Sequence, residues 1–217
     1  MRSFLAGIGL LIIAATLLAL GFVYSGYYNV AADDPHWNLT ARALETLRNR
    51  SIERRAAEVK VPKLDAPKLV ARGAGQYASM CVGCHLAPGM EPSELSKGLY
   101  PAPPVLGERQ LDPRISYVVI KHGIKMSGMP AWGGHHGDEQ VWSLVAFVAK
   151  LPGMTPQQYQ ELTTSPEANA AAAMAAHGVQ MMPQAPVAPI PNWVGPQPHG
   201  PPGHHDMPVG ATSGAHR

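Results

Sequence analysis

The stretch Cys81-Val82-Gly83-Cys84-His85 decides how the rest of the chain is read. It has the form C-x-x-C-H, the attachment sequence for a c-type haem, in which two thiols bond covalently to the porphyrin's vinyl groups and the histidine ligates the iron. On a helical turn, thiols three positions apart reach neighbouring edges of one macrocycle, and the next residue projects its imidazole beneath it. The chain has two cysteines, and the motif uses both. A thioredoxin-like disulfide would want a strand ahead of the motif, whereas Gly73 to Met80 reads as helix. A zinc site would need further thiols.

Upstream, Gly73, Tyr77 and Cys81 are four apart, so they stack along one face of a helix running into the motif. A small residue followed by an aromatic one lets another helix approach closely and pack on the ring. Downstream, Pro88 to Pro104 holds five prolines and two glycines, which predicts an irregular loop against the haem edge. Asp112 to Gly123 reads as a helix with Asp112 as cap, Pro113 at the first position and Gly123 as stop. A loop through Gly134 follows. Asp138 opens a helix through Lys150, with Val141, Trp142, Leu144, Val145, Phe147 and Val148 apolar, and Thr155-Pro156 caps a short one through about Leu162.

Toward the amino terminus, Phe4 to Tyr24 carries no charge; at about 1.5 Å per residue it spans about 30 Å, one hydrocarbon core. Arg2 precedes it and Asp33 and Asp34 follow, which predicts a cytoplasmic start and an exported remainder. The run exceeds the hydrophobic region of a cleaved signal peptide and ends in Tyr24, Tyr27 and Tyr28, placed like an interfacial aromatic belt, so an uncleaved anchor is favoured over cleavage near Val30-Ala31-Ala32. Leu39 to Val59 reads as an amphipathic helix with Asn38 as cap, its arginines facing headgroups, a partner subunit or solvent.

Helix, haem motif, loop, helix, methionine loop, helix is an order that resembles the class I cytochrome c family. Gly73, Tyr77 and Cys81 match that family's first helix, and Leu144 with Phe147 the apolar and aromatic pair of its last. Tyr28-Asn29-Val30, Asp34-Pro35-His36-Trp37 and Lys121 through Trp132 are similar to membrane-anchored proteobacterial members over roughly residues 1 to 160. The resemblance implies crossing first and last helices beside the haem, with a late methionine as second axial ligand. It implies no particular partner.

Four methionines follow the motif within the domain: Met90, Met126, Met129 and Met154. Met90 lies only five residues past His85, and Met154 lies beyond the last helix. Met126 and Met129 share the right loop, and spacing alone does not separate them. Pro130 restrains the backbone beside Met129, and the family match places Met129 first with Met126 as runner-up. His122, His135 and His136 are rival ligands. Trp132 is a candidate haem shield and Trp142 a core residue.

The expected architecture is all-α: residues 1–27 an anchor, 28–65 a juxtamembrane helix and linker, 66–162 a class I cytochrome c domain around one covalent haem, and 163–217 a disordered Ala/Pro/His-rich tail. Within that tail, Ser165-Pro166 to Gly178 can form a helix that would be marginal alone. The nine prolines from Val179 onward favour disorder. A net charge of +2 with dispersed Lys and Arg argues against nucleic acid. Between Ala66 and Pro152, eight Lys or Arg face six Asp or Glu, an excess that two haem propionates would roughly cancel.

The expected function is a single-electron carrier rather than an enzyme. It sits in the cytoplasmic membrane by a single pass, with the haem domain in the periplasm. Cys81 and Cys84 bind the haem, His85 and Met129 hold the iron, redox proteins of the respiratory chain are partners, and no small-molecule substrate is needed. The alternatives are a haem enzyme or gas sensor with an open sixth position, and a copper-handling protein using His199, His204, His205, His216 and Met207 of the tail.

Overall fold

The computed structural model describes residues 1–180, and those residues form helices and connecting segments with no strand among them. In order the helices are α1 (Arg2–Tyr24), α2 (Asn38–Ala56), α3 (Pro67–Met80), α4 (Val82–His85), α5 (Glu94–Lys97), α6 (Pro113–His122), α7 (Asp138–Val148), α8 (Pro156–Thr163) and α9 (Pro166–Gln180). Two single 3-10 turns, Leu106–Glu108 and Trp132–Gly134, lie in the loops. The proline-rich and histidine-rich segment expected to be disordered, with its possible copper ligands, lies outside the described residues.

Helix α7 is buried on two sides. On one, Leu144, Phe147 and Val148 join Val70, Ala74 and Tyr77 of α3. There the rings of Tyr77, Phe147 and Tyr159 stand 5.3 to 6.3 Å apart in tilted and edge-on contacts, the arrangement aromatic quadrupoles favour. On the other, Val141 and Val145 meet Tyr117 and Val118 of α6 and Ala56 at the end of α2. Trp142 stacks on Tyr117 with centroids 4.2 Å apart, so it packs against this second cluster as expected.

The caps read from sequence account for α6 and α8. Asp112 accepts a hydrogen bond from the Arg114 amide, and Thr155 with Gln158 forms a reciprocal capping box. Helix α2 differs. Asn38 is its first residue, the cap position is Trp37, and no side chain caps it. The entry is fixed by stacking instead: Trp37 contacts Phe22, Tyr27 and Tyr28, with Tyr28 only 4.9 Å away edge-on. Tyr28 and His36 share a 2.8 Å hydrogen bond, and the His36 amide donates to the Tyr100 hydroxyl. The end of α1 is therefore stitched to the loop that borders the haem motif.

Helix α1 has a mean hydropathy of 2.5 over its apolar window, with none of that window covered by the rest of the chain. It is the one helix among the described residues long and apolar enough to cross a membrane, as expected.

Helix α9 is the departure at the carboxyl end. Residues 163–217 read as tail with a helix marginal by itself, but Pro166–Gln180 forms a helix that lies on α3 and buries Ala168, Ala171 and Ala175. Tertiary packing supplies what an isolated helix of this length lacks.

Candidate haem site

Helix α3 does not run unbroken into the motif. It ends at Cys81, whose φ of −113° departs from helical geometry, and Val82–His85 forms a separate turn. Leu86 then adopts φ 62° and ψ 157°, a region costly for a side chain. It is held there by burial and by the Tyr77 hydroxyl, which donates to its carbonyl at 2.6 Å. Tyr77 thus packs in the core and also fixes the chain where it leaves His85. The Ser93 hydroxyl donates to the Gly83 carbonyl at 2.6 Å while capping α5, so the proline-rich loop is bonded to the motif itself. That turn was not foreseen, although Ser93 followed by Glu94 is a cap signal.

Cys81 and Cys84 are not joined in a disulfide, and both face the same cleft. Before haem is attached, burial raises the Cys81 thiol to about 12, with Cys84 adding to the effect. His85 is oriented by its neighbour: Nδ1 lies 2.8 Å from the Pro104 carbonyl. A carbonyl only accepts, so Nδ1 carries the proton and the Nε2 lone pair is left for a metal.

These residues open onto a cleft of about 390 Å³ lined by Met80, Cys81, Cys84 and His85 on the motif side. Leu106, Ile115, Val119 and Ile120 supply apolar wall, and Met129 and Trp132 come from the loop after α6. Its size and composition are those of a cofactor pocket. Two thiols, an imidazole with Nε2 available and a thioether line this one cleft, a donor set that fits one covalent haem.

The methionine loop is closed by its own backbone. Ile124 N–H donates to Met129 O at 3.1 Å, Met129 N–H to Ser127 Oγ at 3.2 Å, and Ser127 Oγ to Ile124 O at 2.8 Å. Gly123, at φ 63°, lets the strand of loop carrying Met129 and Pro130 cross above it; a Cβ there would stand 2.8 Å from Met129 O. Met126 sits in the left-handed region at φ 58° and is 86% exposed, outside the cleft. Met90 and Met154 do not line it either. His136 is buried with Nδ1 3.2 Å from Trp132 O, and neither His122 nor His135 reaches the cleft. The sequence reading missed Met80 and Arg48, both of which line it.

A helical domain with its first and last helices crossing beside a C-x-x-C-H cleft is that of a c-type cytochrome. Residues 68–148 match the family model of cytochrome C oxidase, cbb3-type, subunit III, and they form a class I, monohaem cytochrome c domain. No curated protein and no solved structure matches the chain. The domain binds haem c covalently and serves electron transport. Helices α1, α2, α8 and α9 lie outside the matched segment.

Proposed function

We propose that the chain is a single-electron carrier tethered by α1 to the cytoplasmic membrane, its haem domain in the periplasm. Cys81 and Cys84 would carry the haem as thioethers, and His85 and Met129 would hold its iron. The bound haem supplies a one-electron couple; the chain holds its ligands in place and shields it with apolar side chains. The observation that carries the reading is that His85, its Nδ1 committed to Pro104, and Met129 line one cleft from which Met126 points away. With His85 and Met129 both given to the iron, the haem would have no open position for a substrate.

A soft thioether favours the reduced metal and raises the potential, which suits a carrier feeding an acceptor of high potential. The matched family takes its name from an oxidase subunit, and a membrane redox complex is the proposed partner. The ferric spectrum tests the ligands. Its far-red methionine-to-iron band should vanish in Met129→Ala and persist in Met126→Ala. Loss of the band in Met126→Ala alone, or its absence from the wild type, would exclude Met129.

A further inference from the structure

Helix α2 lies outside the matched domain, yet one of its side chains enters the haem cleft. Of its five arginines, Arg42, Arg50, Arg54 and Arg55 are exposed, whereas Arg48 is half-buried and lines the cleft. Its Nε donates to Asn49 Oδ1 at 3.0 Å, and among the described residues the guanidinium has no carboxylate partner. Arg109, from the loop ahead of α6, is the other cation lining the cleft, also without an acidic partner among the described residues. No aspartate or glutamate lines it. A guanidinium half-removed from water calls for an anion. The haem of this domain brings two, its propionates, into a cleft presenting two arginines and no competing acid.

We infer that Arg48 pairs with a haem propionate, with Arg109 as the second cation, so that a residue of the juxtamembrane helix completes the haem site and helps set its potential. The inference rests on the haem reading of the cleft and is independent of which residue is the sixth ligand. A guanidinium forms two parallel hydrogen bonds to a carboxylate, which fixes the helix as well as the charge. The cofactor then clamps the end of α2 that Ile52 and Ala56 already seat against α6. The cation offsets a negative charge near the iron; without it the propionate favours the ferric state, and the potential falls.

The test uses the full-length holoprotein in membranes or detergent. At a fixed ambient potential, Arg48→Gln should lower the ferrous-to-ferric ratio about three- to tenfold, as expected for one charge roughly 10 Å from the iron at an effective dielectric of about 20, less some solvent screening. Arg50→Gln removes a charge from the same helix outside the cleft and should shift the ratio by less than half as much. Arg48→Lys should restore most of the ratio, but not the wild-type hydrogen-exchange protection of α2, because an ammonium lacks the planar fork. Equal ratios for Arg48→Gln and wild type, or equal shifts for Arg48→Gln and Arg50→Gln, would overturn the inference. Since these are differences between variants, they stand whether or not the methionine band assigns Met129; failure of that band overturns the ligand assignment alone.

Discussion

Helix α3 is crossed on two sides by the same device, and the crossings differ in what surrounds them. At Gly73 a Cβ would stand 1.9 Å from the Ser143 carbonyl of α7; at Gly75 a Cβ would stand 1.9 Å from the Ala168 carbonyl of α9. Both glycines let another backbone touch the helix. Around the first lie Leu144, Phe147 and a buried hydrogen bond in which Ser143 Oγ donates to Gln76 Oε1 at 2.6 Å. Among the described residues, the side chains that α9 buries at the second are Ala168, Ala171 and Ala175. Close approach alone therefore makes a seam, and large side chains turn one seam into a core. The α7 crossing is filled by large side chains beside the haem cleft, whereas the α9 crossing is as extensive but lined by alanine.

The sharpest way to break the comparison is to add a methyl at each glycine. Gly73→Ala sets that methyl against backbone between two elements that cannot separate without opening the aromatic core. It should destabilise the holoprotein by about 3 kcal/mol, the upper part of the overpacking range, in denaturant unfolding followed by the haem spectrum. Wild-type stability would mean that α3 and α7 are not locked. Gly75→Ala makes the same clash, but α9 can lift away. The expected cost is about 2 kcal/mol, since the three alanine methyls that α9 buries contribute about 0.8 kcal/mol each, with loss of hydrogen-exchange protection over residues 168–176 and an unchanged spectrum. A change in the spectrum would place α9 within the haem domain's cooperative unit.

The smallest effect belongs to the surface. Asp138 at the start of α7 accepts from Lys121 of α6 at 2.6 Å, and this bond holds its carboxyl below the usual value. A lowered carboxyl contributes stability at neutral pH that is lost as pH falls through its folded-state value. Asp138→Asn should cost about 0.5 kcal/mol at pH 7 by thermal unfolding, and the difference from wild type should shrink in acid.

The same contrast explains what could be read from the residues. Helix α7 was legible because Val141, Trp142, Leu144, Val145, Phe147 and Val148 form a dense apolar set between the acidic start at Asp138 and Lys150. Helix α9 could be seen as a helix from Pro166 and Gly178, but Ala170 to Ala173 look alike on every face, so no stripe told which side would be buried. A signal did exist: Gly73 and Gly75 lie about 200° apart around α3, which leaves room for a close neighbour on each of two sides. Spacing alone pointed to Cys81, Cys84 and His85 as a haem motif. The bonds from His85 to Pro104 and from Ser93 to Gly83 depend on the path of a proline-rich loop, which local pattern does not determine. Arg48 could not be told from the other arginines of α2, because its difference is one of burial.

The stitch between Tyr28, His36 and Tyr100 bears on how the carrier finds its partner. The thirteen residues between α1 and α2, if unstructured, would have an end-to-end distance of about 20 Å and would let the haem sweep a wide volume. Folded against Tyr100, they give almost no slack. With α1 seated in a bilayer, as proposed, such a cytochrome would sample few orientations, so encounters would depend on diffusion of the anchor in the plane of the bilayer and on whether a partner presents its own redox centre at a matching height.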